Sequence, residues 1–95
     1  MLPVSIHRTM TEIRFRDRAP DAPEITDYDR AVAPTYLRLL DAAGDGADWR
    51  EVVSMLFGRD ASIDPEGALE AYETHLARAR WIAAQGYREM VWGKP

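Results

Sequence analysis

The chain has 95 residues, a net charge of −4, a hydrophobic fraction of 46% and no cysteine. It is one small domain with apolar side chains enough for a compact core, and a disulfide framework, thiolate chemistry and Cys-ligated metal are excluded. No apolar run nears a membrane span, Met1–Ile6 is too short for a secretory signal, and the acidic balance counts against a dedicated nucleic-acid binder. The chain reads as cytoplasmic.

Residues 1–23 carry Pro3, Pro20 and Pro23, and their apolar members (Val4, Ile6, Met10, Ile13, Phe15) hold no clean period. This predicts a flexible N-terminal arm, with a short extended piece around Ile13–Arg16. Arg8, Arg14, Arg16 and Arg18 lie in it, and it is either a frayed terminus or a binding arm.

Residues 24–95 form the domain. Thr26 is a capping residue, and Tyr28, Val32, Tyr36, Leu39, Leu40 and Ala43 share one face at helical spacing. They predict a helix over about 27–43. Pro34 lacks the donor and clashes one turn back, so the helix is either kinked or begins at Pro34 after a turn over Asp27–Ala33. Gly44-Asp45-Gly46 ends it.

Asp48 caps the next segment, with Glu51 at the capping-box position. Trp49, Val52, Val53 and Leu56 form an i, i+3, i+4, i+7 stripe that predicts a helix over 48–57 with one face fully buried. Phe57 joins the core, Gly58 stops the helix, and Arg59–Ile63 links onward.

The longest helix is predicted over 64–85. Asp64 is the N-cap, Pro65 takes the first helical position, and Glu66, Glu70 and Glu73 complement the dipole. Gly86 stops it. Leu69, Tyr72, Leu76, Ala79 and Ala83, with Ala68 beside them, make the core stripe. Thr74, Ala77, Arg78, Trp81 and Gln85 fall opposite. Trp81 on a polar face is covered by a neighbouring helix or the C-terminal tail, or else it is a protein-binding anchor. After Gly86, Tyr87 to Trp92 suit a last helical turn or a short strand.

The fold class is therefore all-α: a compact three-helix helix-turn-helix variant with a short C-terminal turn or strand, its turn longer than usual. A plain three-helix bundle is the simpler alternative. Catalysis is not expected, because His7 and His75 stand apart and no phosphate loop, nucleophile elbow or zinc spacing is present. No metal or other cofactor is implied. DNA reading by the first turns of the long helix needs donors, and those turns carry Asp64, Glu66, Glu70 and Glu73 instead.

The candidate partner-binding surface is a ridge of Arg78, Trp81 and Gln85, extended by Tyr87 and Arg88. His75 lies on the border of the core stripe, as a satisfied half-buried side chain or a switch. Glu66, Glu70 and Glu73 are placed to meet a basic surface.

Four blocks in order carry a resemblance: Tyr36 to Ala42, Gly46 to Val52, His75 to Trp81 and Gly86 to Arg88. Over about residues 24–92 they are similar to a family of small helix-turn-helix-variant domains from proteobacterial integrative and conjugative elements. The single-domain length resembles the QseM-type antiactivators of that family. That resemblance implies protein partners, a LuxR/TraR-type quorum-sensing activator and an excision activator, with no direct DNA binding. Other members imply the alternative, a DNA-binding accessory regulator using the arm arginines with Arg78, Arg80 and Arg88.

Overall fold

The computed structural model describes residues 15–85; the regular structure among them is helical, with no strand. Thr26 begins α1 (Asp27–Ala31) with a reciprocal box: its hydroxyl accepts from the Asp29 amide, and the Asp29 carboxylate accepts from the Thr26 amide. Val32, at φ −102° and ψ 12°, separates α1 from α2 (Ala33–Gly44). Pro34 thus sits in the first turn of α2, where its missing donor has no helical partner to lose. The region is thus two short helices separated by one residue, where one kinked helix or a turn followed by a helix from Pro34 was expected.

Asp48 caps α3 (Trp49–Val52) through the Arg50 amide. The helix then widens into a π-helical turn, Val53–Phe57, closed by Gly58 in the left-handed conformation at φ 69°. The wide turn carries the Phe57 ring to 4.8 Å from both Phe15 and His75. Val52 and Val53 are buried, but Trp49 and Leu56 are only half-buried, so the face is less completely covered than its periodicity predicts.

Pro65–Gln85 forms α4, which packs along α2 and α3, with Asp64 accepting from the Gly67 amide. Val32, Tyr36, Leu39, Val52, Leu76, Ala79 and Ile82 make the core. Burying a side chain such as Leu39 or Ile82 contributes about 1.5–3 kcal/mol. The buried stripe of α4 is rotated from the expected one: Ala68, Ala71, His75, Leu76, Arg78, Ala79 and Ile82 are buried, while Ala83 is exposed and Leu69 and Tyr72 are half-buried.

The rotation has a cause. Residues 15–24, expected within or beside the arm, lie along α4 as an extended strap that covers one flank. Phe15 packs on the core, Arg18 pairs with Glu70, the Ala19 amide donates to the Thr74 hydroxyl at 3.0 Å, and Arg59 reaches back to Asp17. The rest of the arm and the stretch from Gly86, including the expected C-terminal turn or strand, lie outside the described residues.

Candidate functional site

A buried ion pair fastens the strap. Arg78 donates from Nε to Asp29 Oδ1 at 3.2 Å and from Nη2 to Oδ2 at 2.8 Å, a forked pairing. Two more of its donors reach the strap backbone: Nη1 to the Ala22 carbonyl at 2.7 Å and Nη2 to that of Glu24 at 2.8 Å. Asp29 is fully buried and also accepts from the Tyr36 hydroxyl at 2.7 Å. Burial pushes its carboxyl up, but hydrogen bonds from Arg78, Thr26 and Tyr36 more than offset this and hold it at about 2. Burial, with Asp29 beside it, pushes the Tyr36 phenol well above its ordinary range. Arg78 is therefore committed to structure.

His75, expected at the border of the core, is fully buried. Its Nδ1 lies 2.7 Å from the Ala71 carbonyl, which can only accept, so Nδ1 carries the proton. Nε2 then accepts from the Tyr28 hydroxyl at 2.6 Å, and that oxygen accepts from the Arg16 amide at 3.0 Å. Burial lowers the His75 pKa, partly offset by the bond to Ala71, which favours the neutral ring. It is the satisfied side chain of the two readings, and buried where half-burial was expected.

The expected ridge is thus split. Arg78 turns inward and lies under Trp81, its guanidinium carbon 4.4 Å from the ring centroid. Trp81 is half-buried and Gln85 exposed; Tyr87 and Arg88 are outside the described residues. Trp81 lines a groove of about 340 Å³ between strap and helix, with Ala19, Pro20, Pro23, Thr74 and Ala77. Of the acidic set, Glu70 is tied to Arg18, whereas Glu66 and Glu73 are exposed and make no ion pair among the described residues.

Eight arginines fall among the described residues. Arg18, Arg30, Arg50, Arg59 and Arg78 are in ion pairs, and Arg16 lies over the Tyr28 ring at 4.6 Å. Arg38 and Arg80 are left, exposed and with neither contact among the described residues. On α4, Arg80 is flanked by exposed Ala77, Ala83 and Ala84, so the solvent face is acidic in its first half and basic or small in its second. Among the described residues, no cluster of three or more His, Asp or Glu could hold a metal, and no helix is long and apolar enough to cross a membrane.

Asp29 is the residue that sequence reasoning missed. Its one signal was the three-residue spacing from Thr26, which marks a surface cap as readily as a buried carboxylate.

No curated protein matches the chain. A family model described as T6SS, transcription factor, DNA binding domain matches residues 4–91. The match takes in residues 4–23, which the resemblance above left out. Its description names DNA binding, so the alternative reading fits better than the antiactivator, and the expectation of no direct DNA contact gives way. With the match running over nearly its whole length, the chain belongs to this family of transcription-factor DNA-binding domains.

Proposed function

We propose that the chain is a DNA-binding transcriptional regulator that approaches the duplex with the C-terminal half of α4. The family match over residues 4–91 carries this reading. The charge distribution supports the choice of surface. Asp64, Glu66 and Glu73 repel phosphates at the start of the helix, whereas exposed Arg80 stands between alanines whose small side chains let a helix lie close to a groove. Arg78 drops out of the phosphate-binding set, because it is buried and four of its five N–H donors are spent inside the fold.

Mobility shift on a mixed-sequence duplex library, titrated between 50 and 200 mM salt, tests it (salt range on the scale of counterion effects, roughly a decade or more of affinity). The logarithm of the affinity should fall linearly with log salt, and Arg80→Ala should make the slope shallower by about one while weakening all sequences alike. No shift at the lowest salt, or an Arg80→Ala variant identical to the parent, overturns it.

A second reading keeps one observation in its favour. The exposed carboxylates of Glu66 and Glu73 suit the basic surface of a transcriptional activator, which this chain would block by occlusion, as the LuxR/TraR-type and excision activators are blocked in the resembling family. Co-purification with such an activator in DNA-free buffer, lost on Glu66→Gln with Glu73→Gln, would support it over DNA binding.

A further inference from the structure

We infer that the groove between α2 and the π-helical turn is the contact between two copies of this chain, paired about a two-fold axis. Each copy seats its Met55 in the groove of the other. The inference stands apart from the proposed DNA contact, which uses a different face.

Met55 is 81% exposed, and the backbone puts it there. From Val53 to Phe57 the helix closes its hydrogen bonds onto the fifth residue instead of the fourth. The wider turn brings the Phe57 ring to 4.8 Å from His75 in the core and leaves Met55 facing outward. Such turns are rare, and where they occur they often mark functional sites.

Beside this knob lies its hole. The groove has a volume of about 320 Å³, with Ala42, Ala47, Val52 and Leu56 in its apolar lining. Met55 itself forms part of the wall, so knob and hole are neighbours on one surface. A two-fold axis beside them lets each copy give one methionine and accept one, the isologous arrangement commonest among homo-oligomers. Methionine, unbranched and polarizable, fills irregular apolar gaps of this kind.

The rim selects a second copy as the occupant. Arg38, Asp41 and Glu51 also line the groove, all exposed and without an ion pair among the described residues. The chain carries a net charge of −4, so two copies repel over most of their surfaces. This rim carries both signs. A two-fold axis can set Arg38 of one copy against Glu51 of the other, and the same pair recurs on the far side of the axis. A partner of one charge sign would leave part of the rim unmatched. Among the described residues no member of α4 lines the groove, so Arg80 stays open in the pair.

Sedimentation equilibrium of the full chain, from low micromolar to millimolar concentration, tests the inference. The mass should climb from 10.8 kDa toward twice that value and stop there. Met55→Glu should remain monomeric throughout, with its far-ultraviolet helical signal unchanged. Arg38→Glu and Glu51→Arg should each weaken pairing about tenfold, because like charges then face each other across the axis. An equimolar mixture of those two variants should pair as the parent does, since every cross-contact regains opposite signs. A parent that stays monomeric at all concentrations overturns the proposal. So does a Met55→Glu chain that pairs like the parent, or a mixture no tighter than either charge variant alone. Masses that rise past the dimer also overturn it, because the contact would then be head-to-tail and not two-fold.

Discussion

Arg78 and Arg80 stand two residues apart on α4 and belong to different regions of the molecule. Two residues are about 200° around a helix, so one arginine faces the strap and the other faces solvent. On the strap flank Arg78 is buried and donates to a carboxylate and two carbonyls. On the open flank Arg80 has no ion pair among the described residues. A count of basic residues therefore misjudges a binding surface, because the fold consumes some of them. What counts is the set left over.

The sharpest way to break the comparison is to remove what holds Arg78. Asp29→Ala strands a buried guanidinium and unpins the strap, which should cost roughly 3–5 kcal/mol. Arg80→Ala should stay within about 0.5 kcal/mol of the parent. Urea unfolding followed by circular dichroism measures both. Equal losses from the two substitutions would mean that the flanks do not differ as described.

Acid should act more gently on the same node. Asp29 titrates at about 2 when folded against 3.8 as a free side chain, a depressed carboxylate. Its contribution is thus fully present above about pH 4 and is lost as pH falls toward 2. The size is roughly 2 kcal/mol, because each tenfold change in proton affinity is worth ~1.4 kcal/mol. Asp29→Asn, compared with the parent at pH 5 and at pH 2, should lack that share of the loss. If both lose stability in parallel, other carboxylates carry the acid sensitivity.

These contrasts mark where the sequence could be read. The helices were legible because Thr26, Asp48, Asp64 and Gly58 are cap or stop residues in their expected places, and because Val32, Tyr36 and Leu39 repeat at helical spacing. The strap was not legible. Residues 15–24 have no period of their own, and what orders them is a set of contacts 42 to 56 positions away in the chain, from Asp17 to Arg59 and from Ala22 to Arg78. For the same reason the inward side of α4 was misjudged: a periodicity scored on hydrophobicity assigns an arginine to solvent, and Asp29, its buried partner, carried only a capping signal. Of the candidate site, Trp81 stood out as an aromatic on a polar face, but the groove it lines has a wall that no local pattern predicts.

The smallest expected effect separates the two flanks by pH alone. His75 is buried among Phe15, Tyr28, Tyr36 and Phe57, with Arg16, Arg59 and Asp29 acting on it electrostatically, and its pKa is lowered from 6.5 chiefly by burial. Unfolding lets the ring take up a proton that the folded state refuses, so its stabilisation is complete above about pH 6.5 and declines as pH falls through that value. Protonation would also give Nε2 a hydrogen aimed at the Tyr28 oxygen, which already accepts from the Arg16 amide at the root of the strap. Acidification from pH 7.5 to 5 should therefore lower the melting temperature of the parent, and His75→Gln should be less stable at pH 7.5 but flatter across that range. Arg80→Ala should keep the parent's slope, since the open flank takes no part in this equilibrium. A His75→Gln chain with the parent's slope would remove His75 as the source of it and leave the strap's anchorage insensitive to pH in that window.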